Sequence, residues 1–200
     1  MTTQPKKSQV LLSLVVTMVA VGCGSSQRDQ APLIVGKAPP TSLLGSWTGG
    51  CYTLPGADDL NNLSRQYSYN FAANASVVEQ ETGYADGTCA KATTKQEITY
   101  TYSVGEVVAG SDGAQTLDLT GSQVVLTLLD PTDLKVPDLC GAPGTFLITG
   151  HPSTCAGNDS YQIVKVDANV LHLGLVEEDL GSPAQRPKVL DLAHPFKPGK

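Results

Sequence analysis

The sequence predicts an all-β domain: an antiparallel barrel of eight or nine strands, with a β-sandwich as the alternative. Short segments rich in Val, Ile, Thr and Tyr alternate apolar with polar residues, as half-buried strands do. Turn signals separate these segments, which fits the 20 Gly and 13 Pro residues of the chain. No long amphipathic helical pattern occurs among them, so consecutive strands should pair as hairpins.

Nine segments carry the strand pattern. The two clearest, 65–71 and 96–104, place aromatic residues on one face and polar residues on the other. Gly121-Ser122 predicts a two-residue hairpin turn, and Asp167-Ala168-Asn169 predicts a second hairpin connection. The candidates are residues 46–53, 65–71, 76–84, 96–104, 115–120, 123–129, 145–149, 161–166 and 170–175.

The N-terminus has the pattern of a bacterial export signal. Lys6 and Lys7 supply positive charge, and residues 10–21 form a short apolar run. About 12 apolar residues rise roughly 18–20 Å as a helix, which is short of a hydrocarbon core about 30 Å thick. A signal peptide over residues 1–22 is therefore favoured over the alternative, a membrane-spanning helix.

Residues 20–23, Ala-Val-Gly-Cys, resemble the lipobox of bacterial lipoproteins, whose cysteine is lipid-modified and becomes the first residue. The family favours Leu where this chain has Ala20, and ordinary secretory cleavage is the alternative. The resemblance implies that Cys23 carries a diacylglyceryl group and an amide-linked acyl chain such as palmitate, enough for stable anchoring. Gly24, in place of Asp, implies the outer membrane of the bacterial envelope.

The remaining chain divides into a tether and a domain. Residues 23–40 are rich in Ser, Gln, Gly and Pro, which is typical of a flexible tether, and residues 41–200 form the folded β domain. Two of the 13 basic residues lie in the signal peptide, so 11 remain against 19 acidic ones. This acidic balance, without a basic run, excludes nucleic acid and anionic membrane surfaces as expected partners.

Four cysteines remain once Cys23 is assigned to lipid. An even number in an exported chain predicts two disulfides, for which three pairings exist. We favour Cys51–Cys89, which would link neighbouring strands, and Cys140–Cys155, which encloses a short loop rich in Gly and Pro. A metal site is the alternative, but the chain lacks C-x-x-C spacing and its three histidines are scattered.

The start of the domain resembles the lipocalin family. Residues 45–47, Gly-Ser-Trp, match the G-x-W motif, whose Trp closes the base of an eight-stranded barrel in that family. A family Arg packs over this Trp, a role that the resemblance implies for Arg186, whereas the family's T-D-x-Y motif is missing. Lipocalin-like bacterial lipoproteins share Y-x-I-x-x-V, here from Tyr161, and R-P-x-x-L-D, here from Arg186. The resemblance covers residues 43–196.

No segment carries the motif of a known reaction. The chain lacks G-x-S-x-G, S-x-x-K, H-E-x-x-H and a phosphate-binding Gly loop. The acidic runs 58–59 and 177–179 are more typical of solvated loops than of a two-carboxylate hydrolase. His172, within an apolar strand, is typical of a satisfied interior residue. We therefore expect no catalytic residue, cofactor, metal or enzymatic activity.

Five aromatic residues are the candidate ligand contacts. Tyrosines that share the inner face of a barrel would line a pocket for an apolar molecule with a polar end. Cross-strand stabilisation of the sheet is an equally good explanation of the same pattern. The candidates are Trp47, Tyr67, Tyr69, Tyr100 and Tyr102.

The sequence thus favours an envelope lipoprotein, anchored by its N-terminal lipid, whose lipocalin-like domain binds a small apolar or amphipathic ligand. An accessory or surface lipoprotein that binds another envelope protein is the second hypothesis, and an unrecognised enzyme is the third. An open lumen would favour the first, and a filled core with an exposed apolar patch the second. A buried cluster of titratable groups in a cleft would favour the third.

Overall fold

The structure is a computed structural model that describes residues 40–58, 60–130, 135–175 and 180–199. This part of the chain is all-β, and its one helical element is a 3₁₀ turn, Pro183–Gln185. The predicted signal peptide, Cys23 and residues 23–39 of the tether lie outside the described residues. The strands are β1 (Gly45–Gly49), β2 (Tyr52–Thr53), β3 (Ser64–Phe71), β4 (Ser76–Tyr84), β5 (Ala92–Val107), β6 (Gln115–Leu128), β7 (Ser153–Cys155), β8 (Ser160–Asp167), β9 (Val170–Leu173) and β10 (Phe196–Pro198).

Eight of the ten strands form a closed antiparallel barrel, which confirms the predicted all-β barrel and excludes the sandwich. The sheet runs β1-β10-β9-β8-β6-β5-β4-β3, and β1 closes the ring by pairing with both β10 and β3. The short strands β2 and β7 pair with β3 and β6 outside this ring. Closure leaves no unpaired sheet edge along the ring. The sheet and its core lie in one compact unit within residues 40–199.

The predicted hairpin turn at Gly121-Ser122 is wrong, because β6 continues through it as one strand. Thr99 pairs with Gln123 and Tyr100 with Gly121, so Ser122 is an extra residue that forms a β-bulge. The glycine has a packing role: a Cβ at Gly121 would lie 2.3 Å from the carbonyl oxygen of Asn158. A glycine inside a strand marks a bulge and a close backbone approach here, rather than a turn.

Two further predicted strands differ from the observed elements. Residues 145–149 form a loop with isolated bridges at Phe146 and Ile148, not a strand. Residues 46–53 divide into β1 and β2, with a break at Gly50-Cys51. The predicted connection at 167–169 is confirmed, since Ala168 and Asn169 both have positive φ, as a type I′ hairpin turn requires.

The main core fills one end of the barrel with residues from its inner face. Trp47 lies in this core, and its indole N–H donates to the carbonyl oxygen of Leu43 at 2.8 Å. Other buried members are Phe71, Val77, Tyr102, Leu117, Leu119 and Leu171. A smaller cluster, which includes Leu60, Leu126 and Leu128, packs loop residues against β6.

Arg186 does not cover Trp47, so the role implied by the lipocalin resemblance is wrong for this residue. Its guanidinium lies 5.6 Å from the ring centre of Tyr161. It also donates to the carbonyl oxygens of Leu117 and Gln162 and pairs with Asp118. Arg186 therefore binds the chain end to β6 and β8 instead of closing the barrel base.

Both predicted disulfides are confirmed. Cys51–Cys89 joins the connection between β1 and β2 to the β4–β5 loop across a sequence separation of 38 residues. Cys140–Cys155 ties the loop after β6 to β7 across a separation of 15 residues. Each bond restricts a long connection, since closing a loop covalently removes conformations from the unfolded chain. Among the described residues, no helix has the length and apolar character needed to cross a membrane.

Candidate functional site

The interior of the barrel holds a cavity of about 510 Å³, open to solvent on one side. This volume lies within the range of sites for small organic molecules. An eight-stranded barrel is at the size where side chains either fill the interior or leave room for one ligand, and here they leave room. The lining residues are Gly49, Gly50, Tyr52, Tyr67, Tyr69, Glu79, Glu81, Tyr100, Leu117, Leu119, Ser160, Gln162, Leu173, Gly174, Leu175, Leu180, Asp191, His194 and Phe196.

One wall of the cavity is polar and comes from β3 and β4. Because side chains alternate between the two faces of a strand, every second residue of β3 and β4 points inward. The register places Tyr69 directly opposite Glu79, and Tyr67 directly opposite Glu81. Tyr100 on β5 is diagonal to Glu79, since its direct partner is Val77. Two carboxylates and three phenol groups therefore meet inside the barrel.

Burial is the largest influence on the pKa of Glu79. It raises the pKa of this carboxyl group from 4.5 to about 7, and the neighbouring charge of Glu81 acts in the same direction. Hydrogen bonds from the hydroxyl groups of Tyr69 and Tyr100 oppose the rise because they favour the charged form. Burial also raises the pKa of both tyrosines well above their usual value. Near neutral pH, Glu79 therefore exists in both protonation states.

Glu81 differs from Glu79 because a cation is beside it. Its Oε1 lies 3.2 Å from Nε of Arg65. Burial still raises the pKa of Glu81, while Arg65 and the hydroxyl group of Tyr67 partly offset this effect. Arg65 is itself shared, since its Nη2 and Nε lie 2.8 and 2.9 Å from Oδ2 of Asp58. One guanidinium thus serves two carboxylates at the edge of the cavity.

The facing wall, across the barrel, is largely apolar and contains one polar exception. Leu117, Leu173 and Phe196 contribute aliphatic and aromatic surface. Gln162 of β8 pairs with Leu117 and shares its inward face. Only 8% of Gln162 is exposed, and its side-chain oxygen has no hydrogen-bond partner. An unpaired buried acceptor is uncommon in folded proteins and identifies a position where a donor would be stabilising.

The border of the cavity includes Asp191 and His194 from the C-terminal region and Tyr52, which lies beside the first disulfide. Oδ2 of Asp191 lies 2.8 Å from Nδ1 of His194, whose ring meets that of Tyr52 edge-on at 5.0 Å. Tyr52 follows Cys51, so the Cys51–Cys89 bond holds this border in place. His172, which was expected to be an interior residue, is half-buried, and its Nδ1 lies 3.5 Å from the carbonyl oxygen of Asp191.

The structure brings three of the five candidate ligand contacts to the cavity: Tyr67, Tyr69 and Tyr100. The other two, Trp47 and Tyr102, are buried in the core next to it. The hydroxyl group of Tyr102 donates to the carbonyl oxygen of Ala72 at 3.1 Å, and its ring packs edge-on against Phe71. These two residues close the filled end of the barrel.

Three residues that line the cavity, Glu79, Glu81 and Gln162, were not predicted from the sequence. Their signal was present, since Glu79 and Glu81 share the period-two face of the fully buried Val77. Acidic residues in a strand are usually assigned to the solvent face, and Gln162 lies in a segment whose apolar residues suggested simple core packing. A polar residue on an apolar face is the pattern that identifies this site.

No group of three or more His, Cys, Asp or Glu residues in the described ranges is placed to hold a metal ion. No protein-family model matches the chain. No curated protein matches it either.

Proposed function

We propose that this chain is a bacterial envelope lipoprotein whose barrel binds one small amphipathic molecule. The observation that carries the proposal is the cavity of about 510 Å³, with a polar wall on β3 and β4 and a largely apolar wall from residues of β6, β9 and β10. A ligand with an apolar body and a polar end would match both walls at once. If the tyrosines served only to stabilise the sheet, the barrel would have no need of a cavity beside them.

The anchoring part of the proposal is supported by the N-terminal pattern and by the disulfides. The charged start, the short apolar run and the lipobox-like segment ending at Cys23 are typical of lipoprotein precursors. Two disulfides fit an oxidising compartment outside the cytoplasm. Gly24, which stands where Asp would favour the inner membrane, favours anchoring in the outer membrane. A tether between lipid and barrel would let the cavity stand off the bilayer.

The geometry of the cavity supports an enzymatic role less well than it supports ligand binding. A carboxyl group with a pKa near 7, such as Glu79, suits general acid–base catalysis. Glycosidase-type hydrolysis, however, places two carboxylates on either side of the bond that breaks. Glu79 and Glu81 lie side by side on one strand, so they face a ligand from the same direction. We therefore favour binding.

Docking to another envelope protein is the second candidate. Leu139, Phe146 and Ile148 are exposed in the loop between β6 and β7. Such residues would favour an interaction surface if they formed one contiguous patch. The cavity is the more specific feature, because it combines volume, shape and oriented polar groups.

Native mass spectrometry of the protein isolated from its own envelope tests the proposal. We expect a ligand of defined mass to remain bound to the folded domain. Ser160→Trp would place a large side chain on the inner face and should remove that ligand. Thr101→Trp, on the exposed outer face of β5, is the matched control and should retain it. A clean ligand-free mass for the unchanged protein would reject the proposal.

A further inference from the structure

The charges inside the barrel are unbalanced. Three carboxylates line the cavity, those of Glu79, Glu81 and Asp191, and no Lys or Arg of the described residues is among the lining groups. Arg65, at the edge, is already engaged by Asp58 and Glu81. Asp191 lies beside His194 near the opening. The interior should therefore disfavour an anionic ligand, because a further negative charge would meet like charges in a partly enclosed space.

Glu79 is the carboxylate without a cationic partner. The groups that act on its pKa are the hydroxyls of Tyr69 and Tyr100, which favour the charged form, and Glu81, whose charge disfavours it. Across the barrel, only 8% of Gln162 is exposed, and its side-chain oxygen has no hydrogen-bond partner. Both groups are hydrogen-bond acceptors on the inner face. A carboxylate without a cationic partner and an unpaired amide oxygen on facing walls favour a ligand that supplies several donors and a positive charge.

The rings around Glu79 favour a positively charged donor in particular. Tyr67, Tyr69 and Tyr100 line the same wall, next to the carboxylates. The negative face of an aromatic ring attracts a cation within about 6 Å of its centre, and this attraction strengthens when water is excluded. An ammonium group has three N–H donors and a full charge, so it can bind Glu79 and contact aromatic rings together.

We propose that the ligand is a small organic amine whose ammonium group binds the carboxylate of Glu79 beside Tyr69 and Tyr100, with its apolar body against Leu117, Leu173 and Phe196. This inference rests on the proposed ligand-binding function and names the chemical class of the ligand. Aliphatic and arylalkyl amines fit the description, whereas fatty acids with the same apolar body do not. The apolar body supplies binding energy in proportion to the area buried, and the ammonium group supplies selectivity.

The pH dependence of binding follows from the same groups. In the empty lumen, Glu79 shares protons with solvent near pH 7 because of its raised pKa. It faces Tyr69 of β3, Tyr100 of β5 and Glu81 of its own strand, with Gln162 across the lumen. Arg65 partly offsets the rise in the pKa of Glu81, and the tyrosines keep their protons. Affinity for the amine should therefore rise between pH 6 and pH 8, as Glu79 loses its proton.

The test compares three ligands that share a ten-carbon alkyl chain and differ in the polar group: decylamine, decanol and decanoate. Each is used below the concentration at which it aggregates. Isothermal titration uses residues 35–200, a range that contains the whole closed sheet and its core. We expect decylamine to bind about 10- to 100-fold more tightly than decanol at pH 8, and decanoate to bind most weakly. The preference for the amine over the alcohol should shrink about tenfold at pH 6.

Glu79→Gln keeps the size of the side chain and removes its charge. It should bring the affinities for decylamine and decanol to within about threefold of each other. Glu97→Gln, on β5, is the matched control because Glu97 lies on the outer face next to Lys95, and it should leave the preference unchanged. Circular dichroism checks that both variants fold.

The outcomes separate this inference from the function on which it rests. If the unchanged protein binds all three ligands about equally, the amine inference is overturned and ligand binding stands. If it binds none of them and isolates without a ligand from its envelope, both are overturned. If the preference for decylamine survives Glu79→Gln, the ammonium group does not bind Glu79 and the inference is wrong. The comparison in the unchanged protein does not depend on any variant folding.

Discussion

Replacing Glu79 by Gln should stabilise the ligand-free barrel at alkaline pH and reduce the dependence of its stability on pH. Burial raises the pKa of Glu79 from 4.5 to about 7, so the folded state holds a proton that the unfolded chain has already lost. The stabilisation that comes with this proton is fully present below pH 4.5. It is lost as the pH rises through 7, because the folded protein must then bury a charge.

The size of the effect follows from the two pKa values. A difference in pKa of one unit between the folded and unfolded states corresponds to about 1.4 kcal/mol. The rise from 4.5 to about 7 therefore gives an upper limit of about 3 kcal/mol. The carboxylate faces a cavity that water can enter, which screens part of this cost. We expect Glu79→Gln to gain about 1–3 kcal/mol at pH 8 and almost nothing at pH 4.5.

Urea unfolding at pH 4.5 and pH 8 measures this difference through the fluorescence of Trp47, which is the only Trp and is buried in the core. Some pH dependence should remain, since burial also raises the pKa of Glu81. Glu97→Gln, which removes an exterior charge, should keep the full dependence of the unchanged protein. Equal pH dependence in Glu79→Gln and the unchanged protein, or a less stable variant at pH 8, would refute the reasoning.

Other substitutions test the packing, the disulfide and the anchor. Phe71→Ala should cost about 3–5 kcal/mol in urea unfolding, because it empties a fully packed site; a loss below 1 kcal/mol would contradict this. Gly121→Ala should cost about 1–3 kcal/mol by forcing the neighbouring backbone away, and unchanged stability would argue against that contact. Replacing both Cys51 and Cys89 by Ala should cost about 4 kcal/mol in the same assay, given the separation of 38 residues. Cys23→Ser should release the protein from membranes in cell fractionation, and retention there would reject the lipid anchor.

The all-β class and the tyrosine face were predictable because both depend on a local repeat. Alternation places Tyr67 and Tyr69 on one face whatever the rest of the chain does. The hairpin at 167–169 was predictable from local sequence too, because Asp and Asn, which favour turns, separate two strand patterns there. Pairing of the cysteines followed from loop length and from the strands they flank.

The carboxylates in the lumen depend on a choice that local sequence leaves open. Residues 76–84 contain polar side chains on both faces, so alternation alone does not tell which face is inside. Closure of the ring decides it, because Val77 must pack against Tyr100 and thereby directs Glu79 inward. Gly121 was misjudged in a similar way, since its need for space comes from Asn158, 37 positions away. The empty volume is likewise a property of all eight strands together.

The pairing of the first and last strands makes assembly of the barrel a late event. β10 bonds to β1 on one side and β9 on the other, so residues 196–198 complete the ring after every other strand has been made. Contacts between residues so far apart in the chain form slowly, because a long loop must close before they can stabilise anything. Until then, the strand that begins with the G-x-W motif keeps one side unpaired and able to bind other extended chains. If the chain is exported N-terminus first, as proposed, protection against aggregation would therefore be needed until residues 196–198 have crossed the membrane.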